Sequence, residues 1–434
     1  MKKNKKSYFK NSNLMYTLLC FLILIIFIAV HLVLGVAISW ADLFDLGLFA
    51  TAVIVFVVNA VANGIVENFE AKFEDGEKLM EDYDRLSKMY STNSKLVKYT
   101  NKESSNKNII EGRKHTKSSK IENERFDEYV FPTANAIKLK GYTVEIEDDK
   151  NKMYELPEDL KKINSELFSA HSHSKTYNQL NIRLDDIKFF NNKILLQCSR
   201  TTYFDSLITN RVMDYKVNGF SVRDKYAYGP FLSSLADSKL SNHIGFNGLV
   251  ETEDEYFIFI LRHKRVSISK NALQISVGAS LKTRYALNKE GVLTKEGIAK
   301  AIKKEIEAEL NLDKLLNYEK RKEKIFENFS FDNIYYSYRE LVEGGKPQLL
   351  FYAKIGLKLD ELKRAYSYGV KRTHIKNSEF ISVKNDGYKA LFIHRDKLKE
   401  IYITPDGFTI EGKFYKSVPT MTASLALLMG DIGV

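Results

Sequence analysis

The chain has 434 residues, 44% of them hydrophobic, a net charge of +11 and only two cysteines. That length exceeds one ordinary domain, and Cys20 in an apolar run with Cys198 in an expected strand exclude both a disulfide framework and a cysteine zinc site. The positive charge does not point to DNA or RNA. It collects in a lysine-rich start (Lys2, Lys3, Lys5, Lys6, Lys10) and one polar stretch, where basic residues beside an apolar run read as orientation signals and anionic-lipid contacts.

Residues 1–13 therefore read as a basic cytoplasmic tail. Leu14–Ile38 contains no Lys, Arg, Asp or Glu, and at about 1.5 Å per residue it is long enough for a hydrocarbon core of roughly 30 Å. A second apolar run, residues 46–66, follows a short loop holding Asp42 and Asp45 but no Lys or Arg. The pair predicts a transmembrane hairpin over 14–66, with a multi-pass location in a bacterial inner membrane and everything after Val66 on the cytoplasmic side. Asn59 and Asn63, one turn apart in the second run, are expected to face another helix, as packing glue or as a stripe with a membrane function.

Residues 67–125 predict a neck and a linker. Leu79, Tyr83, Leu86 and Tyr90 recur at helical spacing, an apolar stripe that can seat on the following domain or on a second copy in a homo-oligomer. From Ser91 to Glu124 the chain turns polar and rich in Lys, Asn and Ser, as a tether does.

From Phe126 to the end, residues 126–434, apolar patterning returns. Ile194–Cys198, Gly248–Thr252, Tyr256–Arg262, Leu273–Val277 and Gln348–Ile355 read as strands, and Pro157–Phe168, Lys295–Leu310 and Leu357–Tyr366 as helices. Strands and helices mixed without a strict repeat predict a layered α/β domain with a mixed sheet. His171 and His173 read as two exposed loop histidines rather than metal ligands, and His243 as structural.

One helix carries more chemistry. Glu305 and Glu309 stand four residues apart and so share a face, where two carboxylates can hold a hard divalent cation. The stretch from Glu296 through Lys304-Glu305 to Glu309 resembles the Nudix box, G-x5-E-x7-R-E-U-x-E-E-x-G-U. Glu296, Glu305, Ile306, Glu309 and Leu312 match; Lys304 stands for the Arg, Ala308 for a metal-binding Glu and Asn311 for the Gly. The resemblance covers about residues 200–434 and implies a Nudix-like α/β/α sandwich. With the apolar hairpin it is similar to the transmembrane Nudix effectors of CBASS anti-phage systems. That likeness implies a cytoplasmic domain that senses a cyclic di- or trinucleotide and helices that disrupt the bilayer, causing abortive infection. Arg262, Lys264, Arg284, Tyr285, Arg339 and Lys346 are the expected ligand contacts. The alternative is a membrane-tethered Nudix hydrolase cleaving a nucleoside diphosphate derivative, with magnesium on Glu305 and Glu309. Ala308 weighs against that chemistry, because magnesium demands near-octahedral coordination.

Overall fold

The computed structural model describes residues 78–92, 94–102, 117–121, 124–171, 177–262, 272–368, 380–381 and 387–434, all within one compact unit, Glu74–Val434. The described chain begins at Lys78 and forms helix α1 (Tyr83–Tyr90), capped by Asp82, whose carboxylate accepts the Arg85 N–H. Leu79, Leu86 and Tyr90 are buried in one cluster with Leu160, Leu167 and Val222, and Tyr83 packs at its edge. The expected stripe therefore seats on the body of its own chain. Polar contacts fix it there. Asp214 accepts the Met80 N–H (2.7 Å), and its own N–H donates to the Lys78 carbonyl (2.9 Å). Arg223 is 2% exposed and holds both Asp214 oxygens, through Nε (2.6 Å) and Nη2 (2.9 Å). The same guanidinium donates to the Leu341 and Val342 carbonyls, 2.8 Å each.

The stretch expected as linker departs from that expectation. Leu96–Lys102 (β1) and Lys117–Ile121 (β2) both pair antiparallel with the fifteen-residue strand Glu124–Lys138 (β3). Three further strands make a separate sheet: Thr143–Met153 (β4), Leu180–Phe190 (β5) and Lys193–Thr202 (β6), ordered β4-β6-β5 with β4 parallel to β6. The helix expected over Pro157–Phe168 is two short ones, Glu158–Lys162 and Asn164–Ser169, interrupted at Ile163.

The main sheet continues with Gly245–Glu251 (β7), Tyr256–Arg262 (β8), Leu273–Ile275 (β9) and Val277–Ser280 (β10). Helix α2 (Lys295–Glu309) starts at Thr294, whose hydroxyl accepts the Gly297 N–H, and buries Ile298, Ile302 and Ile306 at i,i+4 spacing. The hairpin Ile334–Glu340 (β11) and Lys346–Lys354 (β12) follows, then helix α3 (Leu359–Tyr368), Phe380–Ile381 (β13) and Gly387–His394 (β14). The eleven strands run in the order β1-β3-β11-β12-β7-β8-β14-β13, with β10 on β7, β2 on β3 and β9 on β8. Within it β12 and β7 are parallel. A small meander, Tyr402–Thr404 (β15), Gly407–Ile410 (β16) and Lys413–Lys416 (β17), leads into helix α4 (Pro419–Met429).

Alternation along the central strands divides the core. Phe246, Val250, Ile258, Ile260, Leu349 and Phe351 pack with the apolar face of α2. Leu249, Phe257, Phe259 and Leu350 pack with Met421, Leu425 and Leu428 of α4. Apolar residues on both faces of β8 explain the unbroken run Tyr256–Leu261.

This architecture corrects two expectations. Among the described residues no helix is long and apolar enough to cross a membrane. The longest, α2, has 15 residues, about 22 Å at the α-helical rise, and carries Lys and Glu along its length. The hairpin segments 14–38 and 46–66, with Asn59 and Asn63, lie outside the described residues, and the multi-pass inner-membrane location is without support. The Nudix-like sandwich is likewise not confirmed. The sheet has eleven strands, and it recruits β1 and β2 from the segment expected to be a tether.

Candidate functional site

A cluster of buried charge lies at the hairpin β11–β12. Its turn places two successive glycines in the left-handed region, Gly344 (φ 66°) and Gly345 (φ 83°). Arg339 braces the turn: its Nε donates to the Gly345 carbonyl (2.7 Å) and Nη1 to that of Ser233, and burial pulls its pKa down to about 10. The turn thereby brings Glu340, Glu343, Lys346 and Gln348 inside, each 7% exposed or less. Glu343 and Lys346 form an ion pair at 2.7 Å. Gln348 Nε2 donates to Glu340 Oε2 (2.9 Å). Its own Oε1 lies where a Cβ on Gly245 would stand, 2.1 Å from that position, so only glycine there leaves room for the amide.

From the neighbouring strands come more amides. Asn247 on β7 donates through Nδ2 to the Tyr338 hydroxyl (2.9 Å) and to Gln348 Oε1 (3.4 Å). Arg262, at the end of β8, donates from Nη1 to Gln274 Oε1 on β9 (2.7 Å). Farther along β10, Ser280 Oγ lies 3.0 Å from His243 Nε2. Beyond it Lys282 forms an ion pair with Glu305 of α2. Close by, Asn181 is fully buried and neither atom of its amide has a hydrogen-bond partner among the described residues.

The electrostatics of the two glutamates differ. Burial raises the Glu340 pKa to about 7, helped by the charge of Glu343 and opposed by Lys346. Burial works the same way on Glu343, but Lys346, Arg211 and Arg262 outweigh it and hold that carboxyl below its ordinary range. His243 stays neutral because burial, then the charges of Lys346 and Arg211, push its pKa well below the usual value. Glu343 is thus the carboxylate of the pair that stays ionised near neutral pH, and Glu340 the one that holds its proton more readily.

The expected ligand residues scatter. Lys346 pairs with Glu343, and the charge of Arg262, which is bonded to Gln274, is felt by the same carboxyl. Arg339 is turned to backbone carbonyls. Arg284 stacks its guanidinium over Tyr285 at 4.5 Å, beside Lys282 at the far end of β10. Lys264 lies outside the described residues. On α2, Glu296 is exposed in the first turn, Lys304 pairs with Glu307, and Glu305 and Glu309 are both buried. Their shared face is as spaced, but Lys282 already takes the Glu305 carboxylate, and position 308 is exposed. Among the described residues no group of three or more His, Cys, Asp or Glu is placed to hold a metal ion. The donor set therefore fits magnesium poorly. His171 departs from the exposed loop expected of it; it is buried, with Nε2 2.8 Å from the Leu207 carbonyl. His173 lies outside the described residues.

The sequence reading does not single out Glu340, Glu343, Gln348, Asn247, Gln274 or Arg211. A cue was present in Glu340-Leu-Val-Glu343-Gly-Gly-Lys346, where opposite charges flank a Gly-Gly turn. Compared with family models and with curated proteins, the chain matches none.

Proposed function

We propose that this unit is a receptor for a phosphate-bearing nucleotide, a cyclic di- or trinucleotide, which it binds without hydrolysing it. The observation that carries the reading is the gathering of Lys346, Arg262 and Arg211 about the single low-pKa carboxylate of Glu343. Cations gathered near one carboxylate can take phosphate oxygens as further acceptors, and charge-assisted hydrogen bonds of that kind are about twice as strong as neutral ones. Hydrolysis asks for more. A metal must neutralise charge developing on the phosphate, and Glu305, the best-placed carboxylate of α2, is paired with Lys282. Binding without turnover is the chemistry these residues favour, in keeping with the anti-phage receptor role that the resemblance implies.

The test is titration calorimetry of the purified full chain with cyclic di- and trinucleotides, followed by chromatography of the ligand after incubation with magnesium. The expected result is binding with the ligand recovered intact. Lys346→Met and Arg262→Met, each checked for folding by thermal melt, should weaken binding about tenfold or more, while Glu305→Gln leaves it unchanged. Magnesium-dependent cleavage of ADP-ribose or a similar diphosphate, lost in Glu305→Gln, would overturn the receptor reading in favour of a hydrolase.

A further inference from the structure

Of the three cations whose charge acts on Glu343, Arg262 and Lys346 are 8% and 3% exposed, and only Arg211 is partly open to solvent. A ligand therefore reaches the centre from the Arg211 side. The guanidinium of Arg211 lies 5.5 Å from the centre of the Tyr203 ring. Tyr203 directly follows β6, and its N–H donates to the Gln179 carbonyl (2.9 Å) on the segment that leads into β5. That bond draws Tyr177, two residues before Gln179, alongside. The two phenol rings stack with centres 6.3 Å apart and planes 25° apart. His243 closes another side, its ring 6.4 Å from that of Tyr203, and the charges of Lys346 and Arg211 both act on it.

The two rings differ in what they leave open. Tyr203 is flanked by Tyr177, Arg211 and His243 and is only partly exposed. Tyr177 rests on Tyr203, yet 57% of it is open to water. Its ring is held by the neighbour it stacks on, so little freedom remains to be lost when a second flat ring is laid on it. Negative charge does not oppose a ligand here. Asp205, two residues after Tyr203, is taken up by the Thr202 N–H (2.8 Å) and hydroxyl (2.7 Å).

We infer that Tyr177, backed by Tyr203, is a stacking platform for a nucleobase of the ligand whose phosphates lie at Arg211. Every base has a π-face, so a platform of this kind adds affinity without reading the edge of the base. The groups lead from Lys346 and Arg211 through Tyr203 to Tyr177, from buried positive charge to an exposed ring. A nucleotide presents its phosphate and its base in that order. The assignment deepens the nucleotide-receptor reading and rests on it.

Probes with and without a base separate the two. Inorganic pyrophosphate tests the cationic centre alone, and ADP, GDP, CDP and UDP add a base. In calorimetry on the full chain, all four diphosphates should bind about fivefold or more tightly than pyrophosphate. Tyr177→Ser should remove that gain and leave pyrophosphate affinity within about twofold, because no charge is touched. Tyr177→Trp keeps a flat ring and should keep the gain. Trp40 is the only tryptophan of the chain, so the added indole also reports directly: its fluorescence should be quenched by the diphosphates and not by pyrophosphate. Equal affinity for pyrophosphate and all four diphosphates, a gain that survives Tyr177→Ser, or an indole at 177 blind to bound diphosphate would overturn the platform. Diphosphates bound through Tyr177 by a chain that ignores pyrophosphate would support the platform and count against the phosphate centre. Failure of every probe would overturn both.

Discussion

Replacing Glu340 by Gln should change how stability depends on pH, in a direction the buried centre dictates. Burial raises the Glu340 pKa from 4.5 to about 7, with the charge of Glu343 adding to the rise. The folded protein therefore keeps a proton that the unfolded chain gives up near its ordinary value. Stability from this group is fully present below about pH 4.5, falls as pH rises towards 7, and levels off once both states are ionised. A rise from 4.5 to about 7 corresponds to about 3 kcal/mol lost across that window, at no more than about 1.4 kcal/mol per pH unit. Glutamine has no proton to lose, and its oxygen can still accept from Gln348. Titrating groups that do not touch this pair are common to both proteins and cancel in the difference, and removing the Glu340 charge leaves Glu343 still easier to ionise. Urea unfolding followed by circular dichroism at pH 5, 6, 7 and 8 should show the wild type losing stability relative to Glu340→Gln up to about pH 7, then running parallel. A difference that is flat over this range, or that grows in favour of the wild type as pH rises, would refute the argument that Glu340 is buried against a second carboxylate.

Two other changes test the body around the site. Arg223→Met leaves Asp214 without its cation and the Leu341 and Val342 carbonyls without their donor, so a loss of about 3–5 kcal/mol is expected in the urea midpoint analysis; a loss below 1 kcal/mol would mean the clamp is unimportant. Asn181→Leu should move the other way. Its buried amide has no partner among the described residues, and exchanging it for an apolar group of similar size should stabilise the fold by about 1–3 kcal/mol, read as a higher melting temperature; a lower one would mean that Asn181 has a polar role in the folded state.

Local periodicity made much of the framework legible. The strand over Tyr256–Arg262 falls where read, and the helix expected over Lys295–Leu310 ends one residue sooner, because unbroken apolar runs and i,i+4 stripes are strong local signals. The stripe Leu79, Leu86 and Tyr90 was visible, though not what it would pack against. Strand β1 was not, since Lys98, Thr100, Asn101 and Lys102 look solvated and an outer strand of a sheet needs few apolar residues. The site was harder still. Lys346 stands out as a ligand contact, but nothing local marks Glu340 and Glu343, and only the turn at Gly344-Gly345, braced by Arg339, folds all three inward. Arg339 looked like a ligand contact because nothing in the sequence reveals that the carbonyls of Gly345 and Ser233 lie within its reach. The face shared by Glu305 and Glu309 was correctly spaced, but the lysine that pairs with Glu305 lies 23 residues away, on another element.

The clamp at Arg223 makes a load path. A pull on the chain at Lys78–Met80 enters the body through Asp214 and crosses one guanidinium. It arrives at the carbonyls of Leu341 and Val342, the residues immediately before Glu343. No slack is available along this route, since the bonds on both sides of Arg223 are 2.6–2.9 Å long and the side chain is enclosed. The first described residues and the charged hairpin therefore behave as one mechanical part. Lifting the hairpin by even an ångström must either carry Lys78–Met80 with it or break the rivet.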